Sequence, residues 1–307
     1  MTDTPIAFVT FNRPDSAARS FESIRRARPK TLFLVSDGPR SDREGEAELV
    51  QQTRRIGEQV DWPCDVHSFY AEENLGCAKR ISSAISEAFE IVDRLMVLED
   101  DCIAHQDFYP YCDSLLERYA DDQRMMAVSG NNFQRGQRRG DASYYFSVFP
   151  HCWGWATWRR AWRHFDLSLQ DWPSFRDEGF LGNICNERYQ HDYWTRIFND
   201  CFDGQIDSWA YPWTCCCWMN QGLTALPNVN LVSNIGFNQA ATHTRKRSNV
   251  SEMTTESLGA IVHPDRVARH FEADQFSERT IFSGATRGGV LKRLRRKLGI
   301  TTQRRAA

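Results

Sequence analysis

Short apolar runs that alternate with helical segments over the first hundred residues constrain the fold most strongly. The predicted strands are 6–11, 31–36, 64–70 and 94–98, and the predicted helices are 16–27, 43–59 and 74–92. Pro14 and Asp15 mark the start of the first helix. Continuously apolar strands that alternate with helices are typical of a parallel sheet covered on both faces. The sequence therefore predicts a Rossmann-like α/β fold with a mostly parallel sheet flanked by helices.

Polar residues follow three of these predicted strands. Residues 10–13, 37–38 and 99–101 each lie where an apolar run ends. In open α/β sheets, ligands bind beyond the carboxyl ends of the strands. We therefore expect these three segments to line one binding site.

The chain changes character after about residue 128. Nine of the ten tryptophans lie within residues 129–250, and only Trp62 lies outside that range. Trp158, Trp162 and Trp218 are expected to pack in the core. The chain divides into an α/β ligand-binding half (1–128), a tryptophan-rich half (129–250), an extension of loop and short helix (251–286) and a basic tail (287–307).

Formal charge is unevenly distributed along the chain. The net charge is −2, yet residues 287–307 carry eight Lys and Arg and no acid, which leaves 30 basic and 40 acidic residues elsewhere. Val290, Leu294 and Leu298 form one apolar stripe on a predicted cationic helix. Such a helix is suited to an anionic lipid surface. The alternatives are a solvated terminus or a nucleic acid, and the acidic body disfavours a nucleic-acid partner.

The sequence carries no predicted secretion signal or membrane span. Residues 1–12 lack a basic head and an apolar core, and the longest apolar runs have about five residues, against the roughly 20 that a membrane helix needs. The ten cysteines form no CxxC pair, so we expect free, buried thiols in a reducing compartment, with a zinc site at Cys215, Cys216 and Cys217 as the alternative. We expect a cytoplasmic protein that can lie at the inner membrane face.

Three consecutive acids follow the fourth predicted strand. Glu99, Asp100 and Asp101 repel one another unless a cation lies among them. Carboxylates are the ligands that hard divalent ions such as Mg²⁺ and Mn²⁺ prefer. The alternative is a solvated turn, or a cap that Asp101 provides to a helix beginning near Gln106.

These acids belong to a series of motifs that resembles the GT-A fold glycosyltransferases. Residues 97–108 resemble their Asp-x-Asp region, and the other motifs follow in order, with the resemblance covering about residues 5–245. The bacterial family-2-like transferases of surface glycans share the Trp-Gly-Trp-Ala-Thr-Trp and Ala-Thr-His-Thr strings of this sequence. The remaining motifs are residues 8–14, 36–38, 74–80, 149–158, 222–230 and 241–244.

The resemblance implies roles for individual residues. Asp101 and His243 would bind Mn²⁺ or Mg²⁺, Asp100 would contact the ribose or the sugar, and Glu99 the nucleoside side. The other residues expected to bind the nucleotide sugar are Thr10, Asn12, Arg13, Asp37, Gly38, Asn74, Gly76, Lys79, Trp153, Gly154 and Trp155. For Trp153 and Trp155 the expected contact is stacking on sugar faces, to which aromatic surfaces are suited.

The motifs leave more than one candidate for the catalytic base. An inverting transferase needs a carboxylate that deprotonates the acceptor hydroxyl. Relatives often carry two acids in the segment that matches residues 207–211, whereas this sequence has Asp207 and, at the second position, Ala210. We expect Asp207 to be the base, with Asp192 next and Glu187 behind it; the alternative for Asp207 is a helix cap.

The predicted activity is metal-dependent transfer of a sugar from a nucleoside diphosphate, with UDP expected, to a hydroxyl of a surface polysaccharide or lipid-linked glycan, with inversion. A sugar-phosphate nucleotidyltransferase is disfavoured because residues 12–15 contain no glycine-rich loop. A glycan- or nucleotide-binding scaffold that has lost catalysis is the other alternative, and Ala210 favours it.

Overall fold

A computed structural model describes residues 2–236 and 253–282. The strands in these residues are β1 (Ile6–Thr10), β2 (Thr31–Ser36), β3 (Asp65–Tyr70), β4 (Arg94–Glu99), β5 (Cys102–Ala104), β6 (Met125–Ser129), β7 (Tyr144–Ser147), β8 (Trp155–Trp158), β9 (Leu223–Pro227) and β10 (Val232–Asn234). The helices are α1 (Pro14–Ala27), α2 (Glu46–Gly57), α3 (Cys77–Ile91), α4 (Phe108–Arg118), α5 (Arg159–Trp162), α6 (Trp172–Asp177), α7 (Arg188–Phe202), α8 (Ala210–Met219) and α9 (Phe271–Ser277), with a 3₁₀ turn at Phe180–Asn183 and a π turn at Glu278–Phe282.

One eight-stranded sheet crosses both halves of the chain. Its order is β3-β2-β1-β4-β8-β6-β9-β7, and β3, β2, β1 and β4 pair in parallel. Strand β8 runs antiparallel to β4 and β6, β9 is parallel to β6, and β7 is antiparallel to β9. Six of the eight strands therefore share one direction, and the predicted α/β class is confirmed. Strands β5 and β10 form a separate antiparallel pair.

The first half folds as its sequence pattern predicts. Strands β1 and β2 are buried along almost their whole length because helices cover both faces of this part of the sheet. Helix α1 buries Ala17, Phe21 and Ile24 on one side, and Pro14 stands at its start. The chain places β1 between β2 and β4, so the strand order changes direction there. The carboxyl ends of β1 and β4 therefore form the crevice in which open α/β sheets bind ligands.

The tryptophans of the second half form a packed core. Trp158, Trp162 and Trp218 are buried, as the sequence predicts. Trp155 is buried as well, and its ring stacks on Trp209 at 5.1 Å. This corrects the expectation that Trp155 stacks on a sugar. The side chain belongs to the interior strand β8, which places it in the cluster that joins the sheet to α8 rather than at a surface.

The described part of the C-terminal extension, residues 253–282, follows the sheet in sequence. The extension is loop from residue 253 until α9, and α9 continues into the π turn. All ten cysteines are free thiols, and Cys215, Cys216 and Cys217 are buried in α8. Among the described residues, no helix combines the length and the apolar character needed to cross a bilayer. His243 and the basic tail 287–307 lie outside the described residues.

Candidate functional site

A cavity of about 560 Å³ opens at the carboxyl ends of β1, β2 and β4. One part of its wall, the polar end, contains Arg13, Asp37 and the three acids at the end of β4. Another part, the aromatic end, contains Phe149, His151, Trp194 and Phe282. Most of the predicted site residues line this cavity, namely Thr10, Arg13, Asp37, Asn74, Gly76, Glu99, Asp100, Asp101, Trp153 and Asp207.

A second hollow of about 750 Å³ lies at the other end of the sheet, beside the start of β4. Its arginines are already engaged by protein groups. Arg94 pairs with Glu117 at 2.7 Å, and Arg160 donates to the carbonyl oxygens of Tyr119, Ala120 and Met125. This hollow offers less for ligand chemistry than the cavity with the acid cluster.

Arg13 binds two of the three acids at the end of β4. Its Nη2 lies 2.8 Å from Asp100 Oδ1, and its Nη1 lies 3.0 Å from Asp101 Oδ2. The second oxygen of each acid has an uncharged donor, since the Phe11 N–H donates to Asp100 Oδ2 at 3.2 Å and Asn234 Nδ2 donates to Asp101 Oδ1 at 3.1 Å. Asp101 is thus held by Arg13 and Asn234 and does not cap α4, which begins at Phe108.

The acid cluster has more carboxyl groups than cations. Burial, and then the charges of Asp101 and Asp100, raise the pKa of Glu99 to about 8. Burial raises the pKa of Asp100 to about 7 although Arg13 opposes that rise. Burial alone would lower the pKa of Arg13, but the neighbouring carboxylates outweigh it and hold that pKa above its usual value. The cluster therefore resists full ionisation with Arg13 as its counter-ion.

The acid cluster fits a divalent cation in charge and in donor type. Three carboxylates face one guanidinium, and the charge of one divalent ion equals the remaining excess when all three are ionised. Carboxylate oxygens suit Mn²⁺ and Mg²⁺. Over residues 2–236 and 253–282, however, no three His, Cys, Asp or Glu side chains stand ready arranged around a metal. Asp101 and Asp100 already bind Arg13, and the predicted ligand His243 lies outside these residues.

Asp37 organises the turn that precedes α3. Its carboxylate accepts hydrogen bonds from the N–H groups of Gly38 (2.9 Å), Leu75 (2.9 Å) and Gly76 (3.1 Å), and from Asn74 Nδ2 (3.0 Å). Burial raises the pKa of Asp37 although these N–H groups favour its ionised form. A Cβ on Gly38 would lie 2.5 Å from the Glu73 carbonyl carbon, so only glycine fits this contact. The predicted residues Asp37, Gly38, Asn74 and Gly76 therefore form one hydrogen-bonded unit.

Asp207 reaches the same turn from the second half of the chain. Its Oδ2 accepts a hydrogen bond from the Cys77 N–H at 3.1 Å, and its Oδ1 accepts one from the Ala78 N–H at 2.8 Å. Asp207 thus caps α3, whose first residues are Cys77 and Ala78, rather than the helix that follows it in sequence. The side chain is exposed at the cavity wall, and Ala210 at the start of α8 lines the same wall.

Four further predicted site residues do not line the cavity. Lys79 is exposed on α3, and the next residue, Arg80, lines the cavity instead. Asn12 donates to Glu46 Oε1 at 2.9 Å, and Glu46 is also bound by Arg40. The other two are Gly38, which packs against residues 72–73, and Asp192, which is exposed on α7. Glu187, weighed behind Asp192, caps α7.

The loop before β8 connects the acid cluster to the aromatic end. Gly154 has a φ of 66°, and a Cβ there would lie 2.6 Å from Val232 Cγ2. This glycine lets the loop turn tightly, so that Trp153 lies at the cavity wall while Trp155 enters the core. The Trp153 N–H donates to Asn131 Oδ1 at 3.0 Å.

The aromatic end contains two buried polar atoms without hydrogen-bond partners in the described part of the chain. The ring of His151 lies beside Phe149 and Phe282, whose centroids are each 6.1 Å from its own and 5.0 Å from each other, and its Nε2 is unpaired. Burial lowers the pKa of His151 to about 3, so its ring is neutral. Asn131 Nδ2 is the second unpaired atom. Both residues line the cavity, so both atoms are candidates for binding a ligand.

Sequence analysis did not assign several residues of this cavity. Arg40 and Phe282 lie outside the motifs. His151 lies within the motif of residues 149–158, from which only Trp153, Gly154 and Trp155 were expected to bind the nucleotide sugar. Asn234 reaches Asp101 from β10, 133 positions away. The strand-and-turn pattern cannot identify such a partner. For Arg80 a signal exists, because it is adjacent to Lys79 in the motif and the phase of α3 decides which of the two faces inward.

Solved structures similar to this chain share 10–12% identity with it. The Staphylococcus aureus TarS fragment 1–349 matches 74% of this chain and 58% of its own, at 10% identity and TM-score 0.40. The mannosyltransferase PcManGT from Pyrobaculum calidifontis, in complex with GDP-Man and Mn²⁺, matches 71% and 76%, at 12% and 0.38. GalNAc-T7 with UDP, GalNAc and Mn²⁺ matches 74% and 43%, at 12% and 0.43.

This chain thus spans less than two thirds of the TarS fragment and of GalNAc-T7. No protein-family model matches the sequence, and no curated protein matches it. These three structures are GT-A glycosyltransferases, the class that the sequence motifs resemble.

Proposed function

We propose that this protein transfers a sugar from a nucleoside diphosphate to a hydroxyl group of a glycan. One observation carries the proposal: a single cavity joins a buried acid cluster with its arginine to an aromatic chamber with unpaired polar atoms. The polar end suits a charged donor. The aromatic end suits an uncharged ring that presents both C–H faces and hydroxyl groups.

The donor would bind along the polar end. Arg13 and Arg80 line this part of the cavity, and cations there would bind the diphosphate and stabilise the charge that develops as it leaves. Asp101, with Asp100 and Glu99, would hold Mn²⁺ or Mg²⁺, and His243 remains a proposed further ligand. When bound, a divalent ion supplies Lewis-acid charge stabilisation to the leaving diphosphate. UDP is the nucleotide that the sequence resemblance favours.

Asp207 is the proposed general base of an inverting transfer. It lines the cavity and is exposed to solvent, whereas Asp192 lies on the outer side of α7. Its carboxylate accepts two backbone hydrogen bonds, one on each oxygen, so each oxygen retains a lone pair for an acceptor hydroxyl. The α3 amides fix the direction of the carboxylate.

The acceptor would occupy the aromatic end of the cavity. Asn131 Nδ2 and His151 Nε2 would bind hydroxyl groups, and Trp153 would pack on a sugar face. The neutral ring of His151 favours an uncharged sugar at this position over an anionic one. We propose a surface polysaccharide or a lipid-linked glycan as the acceptor, with the basic tail 287–307 at the inner membrane face of the cytoplasm.

A thermal-shift panel tests the donor site. UDP, GDP, dTDP and CMP are each added with and without Mn²⁺ to the wild type and to Asp101→Ala. A ligand at 100 times its Kd stabilises the folded state by about 2.7 kcal/mol. We expect a Mn²⁺-dependent shift with one nucleotide that is lost in the variant. The absence of any nucleotide shift in the wild type would refute the proposed donor site.

A nucleotide- or glycan-binding scaffold is the second candidate function. Ala210 favours it, because this residue faces the cavity where relatives often carry a second acid. A scaffold would bind the nucleotide without turnover in the wild type, and Ala210→Asp would introduce turnover. If the wild type itself turns over and Ala210→Asp catalyses the same reaction, the scaffold is excluded.

A further inference from the structure

Arg13 is attached to the acid cluster by its side chain alone. Its backbone lies at the start of α1, where its carbonyl accepts the Ala17 N–H at 2.9 Å and Pro14 follows. The helix therefore fixes the Cα position, while the long side chain extends to Asp100 and Asp101. The guanidinium side chain is 19% exposed and lines the cavity. It can leave the acids by rotating about its own bonds without a movement of α1.

The two acids would keep their positions if the guanidinium left. Asp100 Oδ2 is held by the Phe11 N–H, and Asp101 Oδ1 is held by Asn234. These donors are uncharged and belong to the ends of β1 and β10. One oxygen of each acid, Asp100 Oδ1 and Asp101 Oδ2, therefore depends on Arg13 and would remain available to another cation.

A divalent ion and the guanidinium compete for the same two oxygens. Both carry positive charge, and each neutralises the same buried pair, so binding one raises the free energy of binding the other. A divalent ion also matches the charge of the ionised pair, which a single guanidinium leaves half neutralised. The site thus contains a counter-ion that belongs to the chain itself.

We propose that Arg13 is an exchangeable counter-ion, which stabilises Asp100 and Asp101 in the donor-free site and gives way to the divalent cation when the donor binds. This inference rests on the proposed function, because it concerns the metal that would accompany the donor. It implies that the free protein binds divalent ions weakly because Arg13 competes with them for the two carboxylates.

Binding of Mn²⁺ to the full chain without nucleotide tests the exchange. The electron paramagnetic resonance signal of free Mn²⁺ gives the Kd for the wild type, Arg13→Gln, Arg13→Lys and Arg40→Gln. Arg40 is the matched control, since it lines the same cavity but pairs with Glu46 rather than with the acid cluster. Far-UV circular dichroism confirms that each variant is folded.

We expect Arg13→Gln to bind Mn²⁺ roughly tenfold or more tightly than the wild type, because a competing charge at contact distance is removed. Arg13→Lys should fall between the two, since an ammonium group cannot bridge both carboxylates. Arg40→Gln should change the affinity by less than about twofold, because an exposed charge at greater distance is screened.

Equal or weaker Mn²⁺ binding by folded Arg13→Gln would overturn the exchange. Should Arg13→Gln fail to fold, Arg13→Lys decides the question, and an affinity no higher than that of the wild type would overturn the proposal. A titration of the same proteins with UDP and GDP separates the two hypotheses. If no nucleotide stabilises any of them while Mn²⁺ binding tightens in Arg13→Gln, the proposed function fails, whereas the competition between Arg13 and the cation for Asp100 and Asp101 is established.

Discussion

Two regions of the cavity hold their carboxylates by different means. At the turn before α3, Asp37 and Asp207 accept hydrogen bonds from backbone N–H groups of residues 38 and 75–78. At the end of β4, the negative charge of Asp100 and Asp101 is neutralised by the side chain of Arg13. Backbone donors cannot leave without unfolding the turn, whereas a side-chain cation can be replaced. The first region is therefore suited to fixed geometry and the second to ligand exchange.

The largest expected effect is on the transfer rate of Asp207→Asn. Loss of a general base lowers the rate by about 10²–10⁴-fold. Asn keeps an oxygen that can accept one α3 N–H, so the unfolding free energy should fall by no more than about 1 kcal/mol. Rate measurements at saturating donor and the nucleotide thermal shift are made on the same preparation.

Full activity of Asp207→Asn would remove Asp207 from the base role and leave it as a cap of α3. Loss of the nucleotide shift together with activity would show instead that the cap positions the donor site. Either result would mean that Asp207, like Asp37, only fixes the geometry of the turn and does not react.

The second expected effect is on stability, in Asp37→Ala. The side chain is buried, and its loss leaves the N–H groups of Gly38, Leu75 and Gly76 without an acceptor. An unpaired buried donor costs about 1–3 kcal/mol; the hydrogen bond from Gly38 is buried and those from Leu75 and Gly76 are partly buried, so we expect the unfolding free energy to fall by about 2–4 kcal/mol. Urea unfolding measures the change.

Asp192→Ala is the matched control for this loss. Its carboxylate is exposed on α7, and surface substitutions of this kind usually change stability by less than about 0.5 kcal/mol. Equal stability of Asp37→Ala and Asp192→Ala would contradict the view that the turn before α3 depends on the Asp37 carboxylate.

The elements of the first half could be predicted from sequence because local signals agree there. Apolar runs place β1, β2 and β4, and the predicted helices differ from α1, α2 and α3 by at most three residues at either end. These patterns depend on burial of neighbouring residues, which a linear sequence shows directly. The location of the site at the strand ends followed from the same reasoning.

The contacts that define the site could not be predicted in this way. Asp207 caps a helix 129 positions earlier in the chain, and Arg13 meets Asp101 over 88 positions. Such pairings depend on the order of strands in the sheet, which local pattern does not specify. The burial of Trp155 has the same origin, since β8 is inserted between β4 and β6.

The smallest expected effect compares two adjacent cations on α3. Arg80 is buried at the cavity wall, donates to the Phe69 carbonyl at 3.2 Å and has an Nε without a partner among the described residues. Burial lowers the pKa of Arg80. A cation that is poorly solvated gains more from an anionic ligand than an exposed one does. We therefore expect Arg80→Ala to weaken donor binding by about tenfold, which is about 1.4 kcal/mol.

Lys79→Ala should leave donor affinity within about twofold of the wild type, since water and salt screen its exposed charge. Titration of the nucleotide that gives a thermal shift, followed by calorimetry, measures both variants. The reverse order, with the larger loss in Lys79→Ala, would mean that the donor binds outside the cavity, along the exposed side of α3. In that case the backbone-held turn, rather than the end of β4, would be the region that meets the ligand.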